Sequence, residues 1–258
     1  MAAKKKVLLV GETWMSAATH FKGFDQFNSV TIHSGAAPLL AAMADSEFDI
    51  VHMPAHDAVE GLPFTENGLS DYAAVMPSDI GANSILLHPD VWLRGETTVN
   101  RLALLRDWTK KGGGLVMIGG YLSFQGIDGK ARWRKTPVEE ALPVECLPYD
   151  DRIEVPEGFR PVLVKPKHPI LAGIDKTWPV LLGANEVTVK KRAGVEIVAR
   201  LPDDNGGHPL LVAGSFGKGR SLAWTSDVGP HWLPAKFSAW PGYATLWRNM
   251  LRWVTRAI

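Results

Sequence analysis

Four short, mostly apolar runs in the first half of the chain constrain its fold more than any other feature. They span residues 7–10, 49–54, 73–77 and 115–120, and each one ends at or beside glycine or proline. Strands with nearly continuous apolar residues are buried on both faces, as happens when helices cover both sides of a parallel sheet. The runs therefore predict parallel strands in the core of an α/β fold.

Segments with helical patterns separate these runs and also end the sequence. Residues 38–44 are apolar and rich in alanine, and residues 97–111 repeat apolar side chains at helical spacing. A last helix is predicted over residues 240–254. Three of its side chains are expected to face the sheet: Trp240, Trp247 and Leu251. This order of strands and helices is typical of a doubly wound, mostly parallel sheet.

The second half of the chain adds proline-rich loops and further strands. Strand candidates lie at residues 186–190, 195–201, 209–215 and 220–225. The last two are joined by the glycine-containing turn at 217–219, which predicts a hairpin. Because no polar linker separates these strands from the first half, we expect one domain over residues 1–258, with the hairpin and final helix added to the first sheet.

Composition excludes several classes of partner. The chain has 28 basic and 27 acidic side chains and a formal net charge of +1, so it lacks the basic excess of a nucleic-acid-binding protein. No stretch reaches the roughly 18 apolar residues of a membrane span. The one cysteine, Cys146, can form neither an internal disulfide nor a thiolate metal site. We expect a cytoplasmic protein without nucleic-acid or membrane partners.

Three stretches together carry a family resemblance: residues 117–126, 168–174 and 219–232. They resemble the bacterial cytoplasmic proteins known as putative glutamine amidotransferases, within the class I glutamine amidotransferase-like superfamily. The resemblance covers nearly the whole chain. It implies a flavodoxin-like sheet with a site at the carboxyl ends of its strands, but it does not fix the reaction.

An active class I amidotransferase carries a cysteine on the sharp turn after a central strand. If Gly119 matches the first glycine of that turn, Tyr121 occupies the nucleophile position. A phenol with a pKa near 10 is a poor replacement for a thiolate. Cys146 lies between prolines, away from such a turn, and its position favours a buried structural role. We therefore expect a protein that has lost the cysteine nucleophile and has no glutaminase activity.

Polar residues follow several of the predicted strands, where the carboxyl ends should meet at one edge of the sheet. This edge is expected to bind a small polar metabolite without a cofactor. The candidate ligand-binding residues are Glu12, His52, His56, Asp79, Gly120, Tyr121 and His231.

Three alternatives remain open at this point. Ser123, Asp227 and His231 have the residue types of a serine hydrolase triad, although the usual nucleophile signature is missing. A metal site is another alternative, because two imidazoles and a carboxylate can bind zinc. Its candidate ligands are His52, His56 and Asp57, with Pro54 arguing against a shared helix. The third alternative is a homo-oligomeric scaffold whose interface is its function.

Overall fold

A computed structural model describes residues 3–258 of the chain. Its strands are β1 (Lys5–Gly11), β2 (Thr13–Lys22), β3 (Asp25–Ser34), β4 (Phe48–Met53), β5 (Tyr72–Ser78), β6 (Gly114–Ile118), β7 (Val144–Cys146), β8 (Arg152–Phe159), β9 (Val162–Leu163), β10 (Leu181–Asn185), β11 (Val187–Val189), β12 (Glu196–Arg200), β13 (Pro209–Phe216) and β14 (Gly219–Trp224). Its α-helices are α1 (Ala37–Met43), α2 (Ala55–Gly61), α3 (Glu66–Leu69), α4 (Ala82–Leu86), α5 (Pro89–Trp92), α6 (Arg101–Lys111), α7 (Pro137–Ala141), α8 (Ala235–Ser238) and α9 (Pro241–Val254). Short 3₁₀ turns cover Ile127–Gly129, Pro169–Leu171 and Asp203–Asn205.

The largest sheet contains eight strands in the order β4-β1-β5-β6-β14-β13-β12-β9. Neighbours from β4 to β14 pair in parallel, whereas β13, β12 and β9 extend the sheet by antiparallel pairing. The expected α/β fold with a large, mostly parallel sheet is confirmed. The expected hairpin is also present, because β13 and β14 are joined directly through Gly217 and Lys218.

Side chains of the central strands alternate between two hydrophobic layers. In β1, Val7 and Leu9 belong to the layer that includes α1 and α9, whereas Leu8 and Val10 belong to the layer that includes α2, α4 and α6. All four side chains are fully buried. Burial on both faces explains why this strand appears in the sequence as an unbroken apolar run.

The C-terminal helix α9 packs against α1, β6 and β14. Trp247 and Leu251 are buried in the layer beneath it, as the helical spacing predicts. Trp240 precedes the helix as its N-cap residue and is partly buried against the same layer. The helix therefore covers one face of the sheet.

Two predicted elements differ in detail. The helix expected over residues 97–111 begins only at Arg101, because the side chain of Asn100 accepts hydrogen bonds from the N–H groups of Leu102 and Ala103, both at 3.1 Å. The strand expected over residues 186–190 is shorter, and as β11 it pairs with β7 outside the main sheet.

Residues 13–34 form the long hairpin of β2 and β3, which no pattern in the sequence predicts. Ten consecutive residue pairs join its strands, and most of its side chains are exposed. A helix long and apolar enough to cross a membrane is not found in residues 3–258.

Candidate functional site

A cavity of about 430 Å³ opens at the carboxyl ends of the central parallel strands. The residues lining it are Glu12, Trp14, Asp79, Tyr121, Leu122, Ile127, Asp227, Pro230 and His231. The polar or ionisable residues of this lining follow four strands: Glu12 follows β1, Asp79 follows β5, Tyr121 follows β6, and Asp227 and His231 follow β14. Because the ends of parallel strands meet at one edge, the topology alone brings together residues that are far apart in sequence.

Glu12 is a buried ionisable group of the cavity, with 7% of the residue exposed, the same fraction as for Asp227. It directly follows β1 with a left-handed φ of 55°, and its N–H donates to the Ser78 carbonyl at 2.8 Å. The Ser78 hydroxyl donates to its carboxyl group. Burial raises the pKa of Glu12 to about 8; the Ser78 bond opposes this rise and the charges of Asp79 and Asp227 add to it. Glu12 is therefore mostly protonated at neutral pH and can itself donate a hydrogen bond.

Asp79 occupies the equivalent position after β5, with a left-handed φ of 42°. Its Oδ1 accepts a hydrogen bond from the Leu122 N–H at 2.7 Å. Burial raises the pKa of Asp79, although the Leu122 bond opposes the rise. Gly120 lies against this carboxyl group: it has a φ of 137°, and a Cβ there would approach Asp79 Oδ1 to 2.8 Å. The turn and Asp79 fit together because residue 120 is glycine.

Asp227 and His231 form a hydrogen-bonded pair across the cavity. Asp227 Oδ2 lies 3.0 Å from His231 Nδ1 and also accepts the Trp232 N–H at 2.7 Å. Burial alone lowers the pKa of His231, but the hydrogen bond and charge of Asp227 outweigh burial, so the pKa is raised overall. The pair has the geometry that orients an imidazole for proton transfer.

Tyr121 lies on the turn after β6, at the position where the family resemblance implies a cysteine. Its ring packs edge-on against His231 with 4.2 Å between centroids, and the guanidinium of Arg152 lies 4.9 Å from its ring centre. Burial, followed by the charge of Glu154, raises the pKa of the phenol above its ordinary value. Tyr121 therefore remains protonated at neutral pH and is suited to hydrogen bonding and packing.

A buried polar network behind the cavity holds this turn in place. Asn185 Oδ1 accepts the Gly120 N–H at 3.0 Å, and Asn185 Nδ2 donates to Asp151 Oδ1 at 2.8 Å. Asp151 also accepts the N–H groups of Gln125 and Gly126, at 2.7 and 2.9 Å. Burial raises the pKa of Asp151 to about 6, against the lowering effect of these bonds. The members of this network belong to separate segments and form no local motif, so the sequence alone does not reveal it.

The structure does not assemble the proposed serine triad. Ser123 is 1% exposed, and its hydroxyl accepts the N–H of Asp79 at 3.1 Å. Within residues 3–258 no hydrogen bond joins Ser123 to His231 or Asp227, although those two contact each other. The hydroxyl of Ser123 supports the Asp79 backbone, and its part in a triad stays a prediction.

The candidate metal ligands are also separated from the cavity. The ring Nε2 of His52, at the end of β4, lies 2.9 Å from the Gly11 carbonyl, and His52 does not line the cavity. His56 and Asp57 lie on α2 with exposed side chains, and His56 Nε2 is 3.6 Å from Asp57 Oδ1. In the described part of the chain no cluster of three or more potential metal ligands occurs. Pro54 ends the strand, so His52 and His56 do not share a helix face.

Cys146 does not line the cavity. It lies in β7, is 4% exposed and packs in the layer that includes α6 and α7. Burial and then the charge of Glu139 raise its pKa well above the ordinary value. A catalytic cysteine needs the opposite shift, since the thiolate is the nucleophile.

A mostly parallel α/β sheet with a polar cavity at its carboxyl edge places this chain in the class of α/β proteins that bind ligands at the ends of their strands. The family model described as putative glutamine amidotransferase matches residues 6–256, and the chain belongs to that family.

Solved structures agree with this assignment. The cytoplasmic protein STM3548 from Salmonella typhimurium is 38% identical with a TM-score of 0.90, and the match covers 96% of this chain and 98% of that one. The cytoplasmic protein STM1381 from Salmonella typhimurium LT2 has the same identity and TM-score, with 96% and 99% covered. A protein described as a putative ThuA-like protein, from Parabacteroides merdae ATCC 43184, shares the fold alone, at 11% identity and a TM-score of 0.59 over 99% of this chain and 91% of that one. Among curated proteins no significant match is found.

Proposed function

We propose that this protein binds a small polar metabolite at the carboxyl edge of its sheet and has lost cysteine-dependent amidotransferase chemistry. The observation that carries the proposal is the convergence of Glu12, Asp79, Tyr121, Asp227 and His231 on one cavity. A concave site with a few convergent polar groups is typical of small-molecule binding. The protein would then be a pseudoenzyme within its family.

The chemistry of the cavity suggests the class of ligand. Protonated Glu12 and the Tyr121 phenol supply hydrogen-bond donors, and Asp227 supplies an acceptor. Trp14 adds a flat apolar wall, since it lines the cavity and is 45% exposed. This mixture of donors, acceptors and an aromatic face fits a hydroxylated or carbonyl-containing metabolite better than a simple inorganic ion.

Thermal unfolding with a panel of sugars, polyols, hydroxy acids and amino acids tests this proposal. A ligand at about 100 times its Kd should stabilise the fold by about 2.7 kcal/mol. Glu12→Gln and His231→Ala should reduce the stabilisation, whereas Glu60→Gln, at an exposed position on α2, should keep it. A panel without any stabilising compound, or a response that both cavity variants retain, would contradict metabolite binding at this site.

We also expect no ammonia release from glutamine, because the turn carries Tyr121 and the thiol of Cys146 is buried elsewhere. The measurement is a coupled ammonia assay on the purified protein, with heat-denatured protein as the blank. Ammonia release that is abolished by Cys146→Ser would overturn this expectation and restore the amidotransferase activity of the family.

The hydrogen bond between Asp227 and His231 favours a second candidate function, an acid–base enzyme that acts on the bound metabolite. Asp227 fixes the orientation of the imidazole through Nδ1, which leaves Nε2 to exchange a proton with a ligand. NMR of the ligand incubated with protein separates the two functions. An enzyme would convert the ligand and lose turnover in Asp227→Asn, whereas a binding protein would leave the ligand unchanged.

We infer a flavodoxin-like, doubly wound arrangement and a cytoplasmic location as the setting for this function. Counted among themselves, the five parallel strands β1, β4, β5, β6 and β14 lie in the order 2-1-3-4-5, which supports flavodoxin-like winding. The location is supported by the two Salmonella relatives, both described as cytoplasmic proteins.

A further inference from the structure

The β2–β3 hairpin carries an unusual concentration of exposed apolar side chains. Seven of its residues have large apolar side chains that are between 45% and 109% exposed: Trp14, Met15, Phe21, Phe24, Phe27, Val30 and Ile32. Singly scattered apolar side chains are normal on a protein surface, whereas a concentration of them on one exposed hairpin marks a contact site. The hairpin therefore indicates a contact.

The pairing register sorts these residues by face. Residues directly opposite each other in the ladder point to the same face, and successive residues alternate. Met15 is paired with Ile32, and Ala17 with Val30. Together with Phe21 they form what we call the apolar face: Met15, Ala17, Phe21, Val30 and Ile32. Its remaining paired positions are uncharged and include Thr19 and Asn28, which hydrogen-bond at 2.8 Å.

The opposite face of the hairpin is organised differently. Trp14 stacks on His33 with 5.0 Å between ring centroids, and His20 stacks on Phe27 at 4.6 Å. Ser29 adds a hydrogen bond to His20 at 2.9 Å. These cross-strand pairs stabilise the ribbon from one side, whereas the apolar face is left for a partner.

Both edges of the hairpin are free and unprotected. Natural proteins protect exposed strand edges with proline, lysine or bulges. Between Thr13 and Ser34 there is no proline, the only lysine is Lys22 next to the turn, and the ten-pair ladder has no register shift. In the described residues no hydrogen bond ties positions 14–33 to the rest of the chain. A two-stranded hairpin of this kind is marginal unless a further element covers it.

We propose that a second copy of this chain covers the hairpin, so that the apolar faces of two β2–β3 hairpins pack against each other. Two observations favour a second copy. The apolar face has no ionisable side chain, so two copies meet without repulsion and a charged partner gains nothing. Each copy also offers the same four large apolar side chains, and a two-fold contact brings identical patches together.

This inference is independent of the metabolite proposal, since it rests on no cavity residue except Trp14 at the base of the hairpin. The two can therefore fail separately. A dimer without a ligand would support only the hairpin contact, and a monomer with a ligand would support only the cavity.

The test compares two aspartate substitutions at neighbouring positions of β3. Val30→Asp places a charge on the apolar face, whereas Thr31→Asp places the same charge on the opposite face. Sedimentation at about 50 μM should give twice the chain mass for the wild type and for Thr31→Asp. Val30→Asp should weaken the dimer at least about tenfold. Circular dichroism should show that all three proteins are folded, because residue 30 lies outside both core layers.

Hydrogen exchange gives a second readout that does not depend on any substitution. Amides of the β2–β3 hairpin should become more protected as protein concentration rises, because dimerisation stabilises the hairpin against local opening. A wild-type monomer, a dimer that Val30→Asp leaves intact, or equal loss in both variants would overturn the proposal. A monomer whose hairpin becomes protected only by another protein would likewise reject the second copy as its partner.

Discussion

Glu12 is the residue whose ionisation should affect stability most clearly. Its pKa is about 8 when folded, against an ordinary value of 4.5. Because the pKa of Glu12 is higher in the folded protein, its contribution to stability is complete below about pH 4.5 and is lost as the pH rises towards 8. The loss is at most about 5 kcal/mol, since each pKa unit is worth about 1.4 kcal/mol. Urea unfolding at pH 5, 6.5 and 8 should show a smaller pH-dependent loss in Glu12→Gln than in the wild type.

The matched control is Glu60→Gln, because Glu60 is exposed on α2. Its unfolding free energy should follow the wild-type dependence on pH. Parallel curves for the wild type and Glu12→Gln would show that the Glu12 carboxyl group is ionised in the folded protein, and this explanation would be wrong.

Asp227 should control the protonation of His231. The raised pKa of His231 depends on the hydrogen bond and charge of Asp227, which outweigh burial. Asp227→Asn removes the charge and should lower that pKa, so His231 loses its proton at a lower pH. An NMR titration of the imidazole measures the shift directly. An unchanged or higher pKa in this variant would mean that another group holds the proton on His231.

The sequence could indicate some of the cavity residues, but not the buried residues that hold the turn after β6 in place. Glu12 and Asp79 were identifiable because each directly follows a buried apolar strand. His52 lies within β4 near its carboxyl end, and its ring interacts with the Gly11 carbonyl and lies outside the cavity lining. Asn185 and Asp151 could not be found in this way, because their roles depend on contacts between distant segments.

At the scale of elements, the turn after β6 offers a controlled test of close packing. Gly120 and Gly112 have nearly equal φ values of 137° and 136°, but a Cβ at Gly120 would meet Asp79 whereas one at Gly112 would meet nothing within 4 Å. Both alanine variants incur backbone strain, of order 1 kcal/mol. Gly120→Ala should cost at least about 1 kcal/mol more in urea unfolding and should weaken metabolite binding. Equal costs would show that Asp79 moves away freely.

The predictability of each element follows from its burial. The parallel strands were predictable because both of their faces are covered, which leaves a continuous apolar signature. The start of α6 was misplaced because Asn100 caps the helix, whereas the apolar spacing that predicted it begins at Leu102 and does not mark its first residue. The β2–β3 hairpin was missed because its exposed strands mix polar and apolar residues, and no buried run marks it.

At the scale of the whole molecule, the C-terminal helix α9 should be essential to the fold. Trp247 is 1% exposed and lies 6.1 Å from Trp224 and 6.2 Å from Tyr243 between ring centroids. Trp247→Ala should cost about 3 to 5 kcal/mol of unfolding free energy if the cavity cannot collapse. Trp92→Ala, at a position that is 61% exposed, should cost less than about 0.5 kcal/mol.

Truncation before Trp240 extends this argument to the domain. It removes the whole of α9, which covers one face of the main sheet, and with it several side chains worth roughly 1.5 to 3 kcal/mol each. That sum is comparable with the roughly 5 to 15 kcal/mol by which a domain is stable, so the truncated chain should be unfolded in circular dichroism. A truncated chain that stays folded while losing the dimer would make α9 an interface element. In that case residues 1–258 would not form the single domain we expect, and the oligomer contact would lie on this helix rather than on the β2–β3 hairpin.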